Sequence, residues 1–156
     1  MTADNIAQTI TLKDGRSLGY AEYGDPGGTP VFYFTGGNSS RLEGGWFDTA
    51  ARQHNVRLIS TDRPGFGLSD FQPGRALLDW PEDILQLADT LGIETFAVFG
   101  LSGGGPHVAA TAYLIPERLT AVAIVSGPCP YGIPGTFEGM WLPLRFMYFV
   151  ARRAPL

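Results

Sequence analysis

Between Phe96 and Tyr113 the chain runs from a solid apolar segment, Phe96-Ala97-Val98-Phe99, through Gly100-Leu101-Ser102-Gly103-Gly104-Gly105, into a stretch of small residues suited to a helix. A short apolar run of this kind reads as a strand buried on both faces, and such strands belong to parallel sheets covered by helices. Reversing from strand to helix in so few residues leaves the backbone little freedom. Ser102 must adopt a strained conformation, and glycines at 100 and 104 keep side chains away from neighbouring backbone. Ser102 then lies at the C-terminal edge of a sheet and at a helix N-terminus. The amide of Gly103 is directed at the space where a carbonyl oxygen would become an oxyanion. A plain Gly/Ser turn leading into a helix satisfies the same pattern; the flanking strand and helix favour the chemical reading. A phosphate loop is disfavoured because no Gly-Lys-Ser/Thr follows. A dinucleotide fingerprint is disfavoured because the Gly-x-Gly-x-x-Gly spacing is absent after this strand.

The rest of the chain predicts more of the same architecture. Thr9–Leu12 and Leu18–Tyr23, separated by Asp14-Gly15, read as a β-hairpin. Val31–Phe34, Val56–Ser60 and Leu119–Val125 read as further strands. Leu42, Trp46, Phe47 and Ala50 at helical spacing predict a helix from Arg41 to Gln53 despite Gly44-Gly45. Leu77, Trp80, Ile84, Leu87, Ala88 and Leu91 mark an amphipathic helix, with Pro81, Glu82 and Asp83 in its first turn and Gly92 after its last. Strands alternating with helices imply an α/β fold with a mainly parallel sheet and flanking helices.

Composition narrows the function. The 156 residues carry a net charge of −4 and no basic run longer than Arg152-Arg153, which argues against nucleic acid as a partner. One cysteine, Cys129, excludes a disulfide framework and a CxxC metal site, and two histidines are too few for most zinc sites. No secretory leader or membrane span is expected, so the expected location is the cytoplasm.

Three motifs then agree in order. Thr35-Gly36-Gly37-Asn38 follows one strand, Asp62-Arg63-Pro64-Gly65-Phe66-Gly67-Leu68-Ser69 follows the next, and Gly100-x-Ser102-x-Gly104 follows the third. Together they resemble the α/β-hydrolase superfamily over nearly the whole chain: its first six strands, then the beginning of a cap. The resemblance implies that residues 1–128 are the N-terminal part of the hydrolase core and 129–156 an incomplete cap. It implies Ser102 as nucleophile, the amides of Gly103 and Gly37 as an oxyanion hole, a small-molecule acyl substrate, and no cofactor or metal. Asp62 to Ser69 would shape the pocket floor without a catalytic role. Thr35 stands where the family has a loop-ordering His. The family's triad acid and histidine follow its seventh and eighth strands, and this chain supplies neither. The alternative acid position holds Ser126-Gly127-Pro128-Cys129.

Other candidates read as structural. His107, five residues past Ser102, is carried roughly 7 Å along its helix and around to the far side, where packing or a loop contact is expected. His54 falls at the opposite edge of the sheet. Glu43 and Asp70 are expected to be solvated, and Cys129 to be a partly buried, inert thiol. The segment Phe137–Val150 reads as a helix from about Pro143 with apolar residues on every face and nothing to cover it. The expectation is thus the nucleophile-bearing portion of a serine hydrolase. The alternative is a truncated non-catalytic module, or one half of a split enzyme needing a partner chain. In either case self-association through the open sheet edge and apolar helix is expected.

Overall fold

The computed structural model describes residues 6–130 and 133–153. Strands β1 (Gln8–Thr11) and β2 (Ser17–Gly24) form the expected antiparallel hairpin. They are followed by β3 (Thr29–Phe34), helix α1 (Asp48–Gln53), β4 (Val56–Thr61), α2 (Trp80–Thr90), β5 (Phe96–Leu101), α3 (Gly105–Leu114), β6 (Leu119–Val125) and α4 (Leu142–Arg153). The six strands make one sheet in the order β1-β2-β4-β3-β5-β6. The β2·β4 pair is antiparallel, and β4·β3, β3·β5 and β5·β6 are parallel. In the β3·β5 pairing Phe34 lies opposite Gly100.

Side-chain alternation along the central strands divides the core in two. Phe32 and Phe34 of β3, with Phe96 and Val98 of β5, face the helices α2 and α3, where Trp80, Ile84, Leu87 and Val108 close the cluster. Tyr33, between the two phenylalanines, points the other way, toward Phe47, Ala51 and Leu58 on the α1 side. Most rings meet edge-on or tilted, as between Phe34 and Trp80 at 5.3 Å and between Tyr33 and Phe47 at 5.1 Å, while Tyr33 and Phe99 stack at 4.6 Å; these arrangements suit the aromatic quadrupole.

Chain direction now fixes where a site can lie. The chain leaves the C-terminal end of β3 toward β4, on one side, and leaves β5 toward β6, on the other. Between those two strand ends the connections diverge and open a crevice, the usual ligand position in open α/β sheets.

Three expectations need correction. The helix predicted from Arg41 to Gln53 is a 3-10 helix over Arg41–Phe47 followed by the short α1. The Gly44-Gly45 pair explains the change: a Cβ on Gly44 would stand 2.6 Å from the Ser60 Cβ and 2.8 Å from the Tyr23 ring. The glycines lay this segment directly on the sheet, and the tighter winding turns Leu42 and Trp46 out to solvent instead of into the core. Glu43, expected in solvent, is turned inward and buried. Cys129, expected to be partly buried, is exposed on the loop beyond β6.

β6 forms a sheet edge, with Val122, Ile124 and Val125 exposed. On α4, Leu142, Phe146, Met147 and Phe149 are exposed too. No helix among the described residues is long and apolar enough to cross a membrane.

Candidate active site

Ser102 stands at the tip of the β5–α3 turn, exposed, with φ of 47°. A serine in the left-handed region costs about 1–3 kcal/mol, and such strain persists only where surrounding structure imposes it. Here the imposition is steric. A Cβ on Gly100 would come within 2.7 Å of the Gly104 carbonyl group, and one on Gly104 would overlap the Phe34 carbonyl oxygen. The turn is therefore wedged between β3 and the first turn of α3. The Ser102 hydroxyl makes no hydrogen bond to another described residue and faces open space.

The loop after β3 closes in from the side. A Cβ on Gly103 would lie 2.8 Å from both the nitrogen and the Cα of Gly37, so the two backbones touch at a place where only glycine fits. The N–H groups of Gly37 and Gly103 thus stand beside the serine. That of Gly37 makes no hydrogen bond among the described residues.

This loop is held without a histidine. Thr35 is fully buried and its hydroxyl has no partner among the described residues. Two other residues do the bracing. The Glu43 carboxylate accepts from the Gly36 N–H at 2.8 Å and from the Tyr33 hydroxyl at 2.8 Å. Burial, reinforced by that carboxylate, pushes the Tyr33 phenol up. The Arg63 Nη2 donates to the Gly36 and Gly37 carbonyls, each at 2.6 Å. Neither brace is legible in the sequence, because both join segments far apart along the chain. The one signal was a glutamate abutting Gly44-Gly45, a pair that lets its segment approach the sheet.

Asp62 organises the neighbouring segment. It is fully buried and accepts from the Arg41 N–H at 2.6 Å, Arg41 Nη1 at 2.9 Å and the Leu68 N–H at 2.8 Å. Asp70 does not join the crevice: its carboxylate accepts from the Ser17 N–H, at the start of β2 and beyond β4 and β3 from Ser102.

His107 is buried and engaged at both ring nitrogens. Arg75 Nη2 lies 3.0 Å from Nε2, and Nδ1 lies 3.2 Å from the Gly103 carbonyl oxygen. A guanidinium has only donors, so Nε2 accepts and the ring proton sits on Nδ1, donating to Gly103. Burial first, then the cations Arg63 and Arg75, push this imidazole down to about 4. It is a neutral strut behind the elbow, with Trp80 edge-on at 5.5 Å. His54 caps the C-terminus of α1 at the opposite edge of the sheet. Among the described residues no three His, Cys, Asp or Glu side chains are grouped to hold a metal ion.

An exposed serine on a sharp strand–helix turn, at the point where a mainly parallel sheet reverses its winding, is the arrangement shared by one class of α/β proteins. The chain belongs to the α/β-hydrolase-fold family, whose pattern its sequence matches over residues 29–151. An uncharacterized hydrolase of Bacillus subtilis, YcgS, is 33% identical over 119 residues, 76% of this chain and 40% of that protein. A non-heme chloroperoxidase of Streptomyces lividans is 30% identical over 141 residues, 87% of this chain and 50% of that one. The crystal structure of a hydrolase from Pseudomonas aeruginosa superposes with a TM-score of 0.77 at 22% identity, covering 99% of this chain and 55% of the other. The chain thus spans about half the length of the relatives it matches.

Proposed function

We propose that the chain is the nucleophile-bearing portion of a serine-dependent hydrolase acting on an ester, amide or related acyl substrate. The observation that carries this reading is Ser102 at φ 47°, exposed, beside the touching backbones of Gly103 and Gly37. In the proposed reaction Ser102 Oγ bonds to the acyl carbon and gives its proton to a base. The carbonyl oxygen takes negative charge facing the Gly103 and Gly37 amides. The base then protonates the departing alcohol or amine, and water releases the acid from the serine. His107 cannot be that base, since both its nitrogens are engaged and the elbow lies between it and the substrate side. The histidine and its acid are proposed to come from residues outside this chain. Residues 1–128 serve as core, and 129–156 as the start of a cap.

Labelling with a fluorophosphonate tests the reading: Ser Oγ bonds to phosphorus and fluoride leaves. With a C-terminal segment supplied, the adduct is expected on Ser102 and is lost in Ser102→Ala. An adduct on another residue, with Ser102 clean, refutes the assignment. Absence of any adduct favours the alternative of a non-catalytic module. The kinship with a chloroperoxidase supports a second reading, the same serine serving peroxide-dependent halide oxidation. An assay of ester cleavage against peroxide-driven halogenation separates the two.

A further inference from the structure

We infer that Arg63 is a positioning residue for the oxyanion site: it holds and polarises the peptide whose N–H belongs to Gly37. The inference rests on the acyl-transfer reading above and adds a residue to it.

The argument begins with the peptide unit itself. The Gly36 carbonyl and the Gly37 N–H belong to one planar group, and no cis peptide occurs among the described residues. In a trans peptide the C=O and N–H bonds point in opposite directions, so their dipoles add. Arg63 Nη2, 2.6 Å from the Gly36 oxygen, therefore stands on the side away from the Gly37 hydrogen. A cation bonded to the carbonyl end draws electron density from the nitrogen and makes the N–H a stronger donor toward whatever faces it. The second bond from the same nitrogen, to the Gly37 carbonyl at 2.6 Å, fixes the following peptide as well. The amide is thus held on both sides, with one degree of freedom removed at each carbonyl.

Besides the loop carbonyls, the Arg63 guanidinium meets only the face of the Phe66 ring among the described residues, 4.7 Å from its centroid. No carboxylate pairs with it among the described residues, whereas the other buried arginine of this region, Arg41, is paired with Asp62 at 2.9 Å. Arg63 is buried, and its Nε has no partner among the described residues. Keeping an arginine inside the fold without a carboxylate is costly. Two short bonds, both to the loop carrying Gly37, and the face of the Phe66 ring offset that cost. A purely structural clasp would serve as well with a neutral donor. The cation is what raises donor strength at the amide facing the developing oxyanion.

With the C-terminal segment supplied, the test compares fluorophosphonate labelling of Ser102 in the unaltered protein, Arg63→Met and Arg63→Lys, reading the maximal inactivation rate separately from the reagent concentration at half-saturation. Weakening one oxyanion donor without deleting it is expected to cost roughly 10- to 100-fold in the maximal rate for Arg63→Met, with half-saturation unchanged. Arg63→Lys keeps the charge but not the fork, so an intermediate rate is expected. Added methylguanidinium should restore part of the Arg63→Met rate. If Arg63→Met unfolds, Arg63→Lys carries the test alone. A folded Arg63→Met labelled within about threefold of the unaltered rate, or a folded Arg63→Lys labelled at the unaltered rate, overturns the inference while leaving Ser102 as nucleophile. A parallel change in rate, half-saturation and unfolding midpoint, with no rescue, also overturns it, since that is the mark of a structural clasp. Failure of Ser102 to label in the unaltered protein with its C-terminal segment supplied removes the acyl-transfer reading and this inference with it.

Discussion

The neutral His107 should make stability fall with pH over a window set by its own ring. In the unfolded chain an imidazole takes its second proton near 6.5; in the fold that event is held down to about 4. The cause is geometric. A second proton would sit on Nε2, facing the Arg75 guanidinium at 3.0 Å, in a buried position with Arg63 nearby. The folded form of such a group binds fewer protons than the unfolded form. The stability it contributes is therefore whole above pH 6.5 and is lost as pH falls toward 4. Each pH unit across that window is worth up to about 1.4 kcal/mol, so the loss reaches roughly 2 kcal/mol by pH 5 and roughly 3 at full protonation. Against the ~5–15 kcal/mol of an ordinary domain this is large. Urea unfolding of the unaltered protein and of His107→Gln, each at about pH 7.5 and about pH 5, isolates the ring, because carboxylate contributions cancel in the difference. The variant is expected to be less stable at the higher pH and to lose less on acidification. An identical loss in both proteins would show that His107 is protonated in the fold, and the tautomer argument would fall.

Replacing Gly37 with Pro removes the N–H assigned to the oxyanion. A fall of about 10²–10³ in kcat is expected in the complemented enzyme, with circular dichroism unchanged, and an unaltered kcat in a folded variant would reject that role. Asp62→Ala leaves Arg41 buried without its carboxylate and orphans the Leu68 amide. Its urea midpoint should drop by the equivalent of about 3–5 kcal/mol, and a drop below about 1 would mean that water or another acid replaces the pair.

Much of the fold was legible because the central strands carry unbroken apolar runs and the α2 segment has clear helical spacing with a charged first turn. The elbow was legible for a local reason: strand, turn and helix are contiguous, so the strain on Ser102 follows from residues 96–105 alone. In segment Arg41–Gln53 the helical spacing of Leu42 and Trp46 does not mark a buried face. The decisive fact was contact of Gly44 with Ser60 and Tyr23, which spacing does not encode. Glu43 and Arg63 were missed as braces for a related reason. Their hydrogen bonds go to backbone of the loop after β3, and backbone acceptors carry no sequence signature. The exposure of Cys129 was not legible either, because how far a loop residue is buried depends on what lies over it, here little beyond Thr136, and neighbours in sequence do not encode that.

The pairing of β3 with β5 also works as a ruler. From the opposed residues Phe34 and Gly100, three steps onward in both chains arrive at Gly37 and Gly103. A slip of one residue between the strands would displace the two amides by about 3.3 Å, more than the length of the hydrogen bonds they are proposed to make. The same slip would turn every side chain over, carrying Phe32 and Phe34 away from Trp80 and pressing Tyr33 into the wrong layer. The spacing of two donors is thus guarded by aromatic rings that never meet a substrate. An enzyme engineer who wished to widen or narrow that spacing would have to begin with those rings, since the loop inherits its position from them.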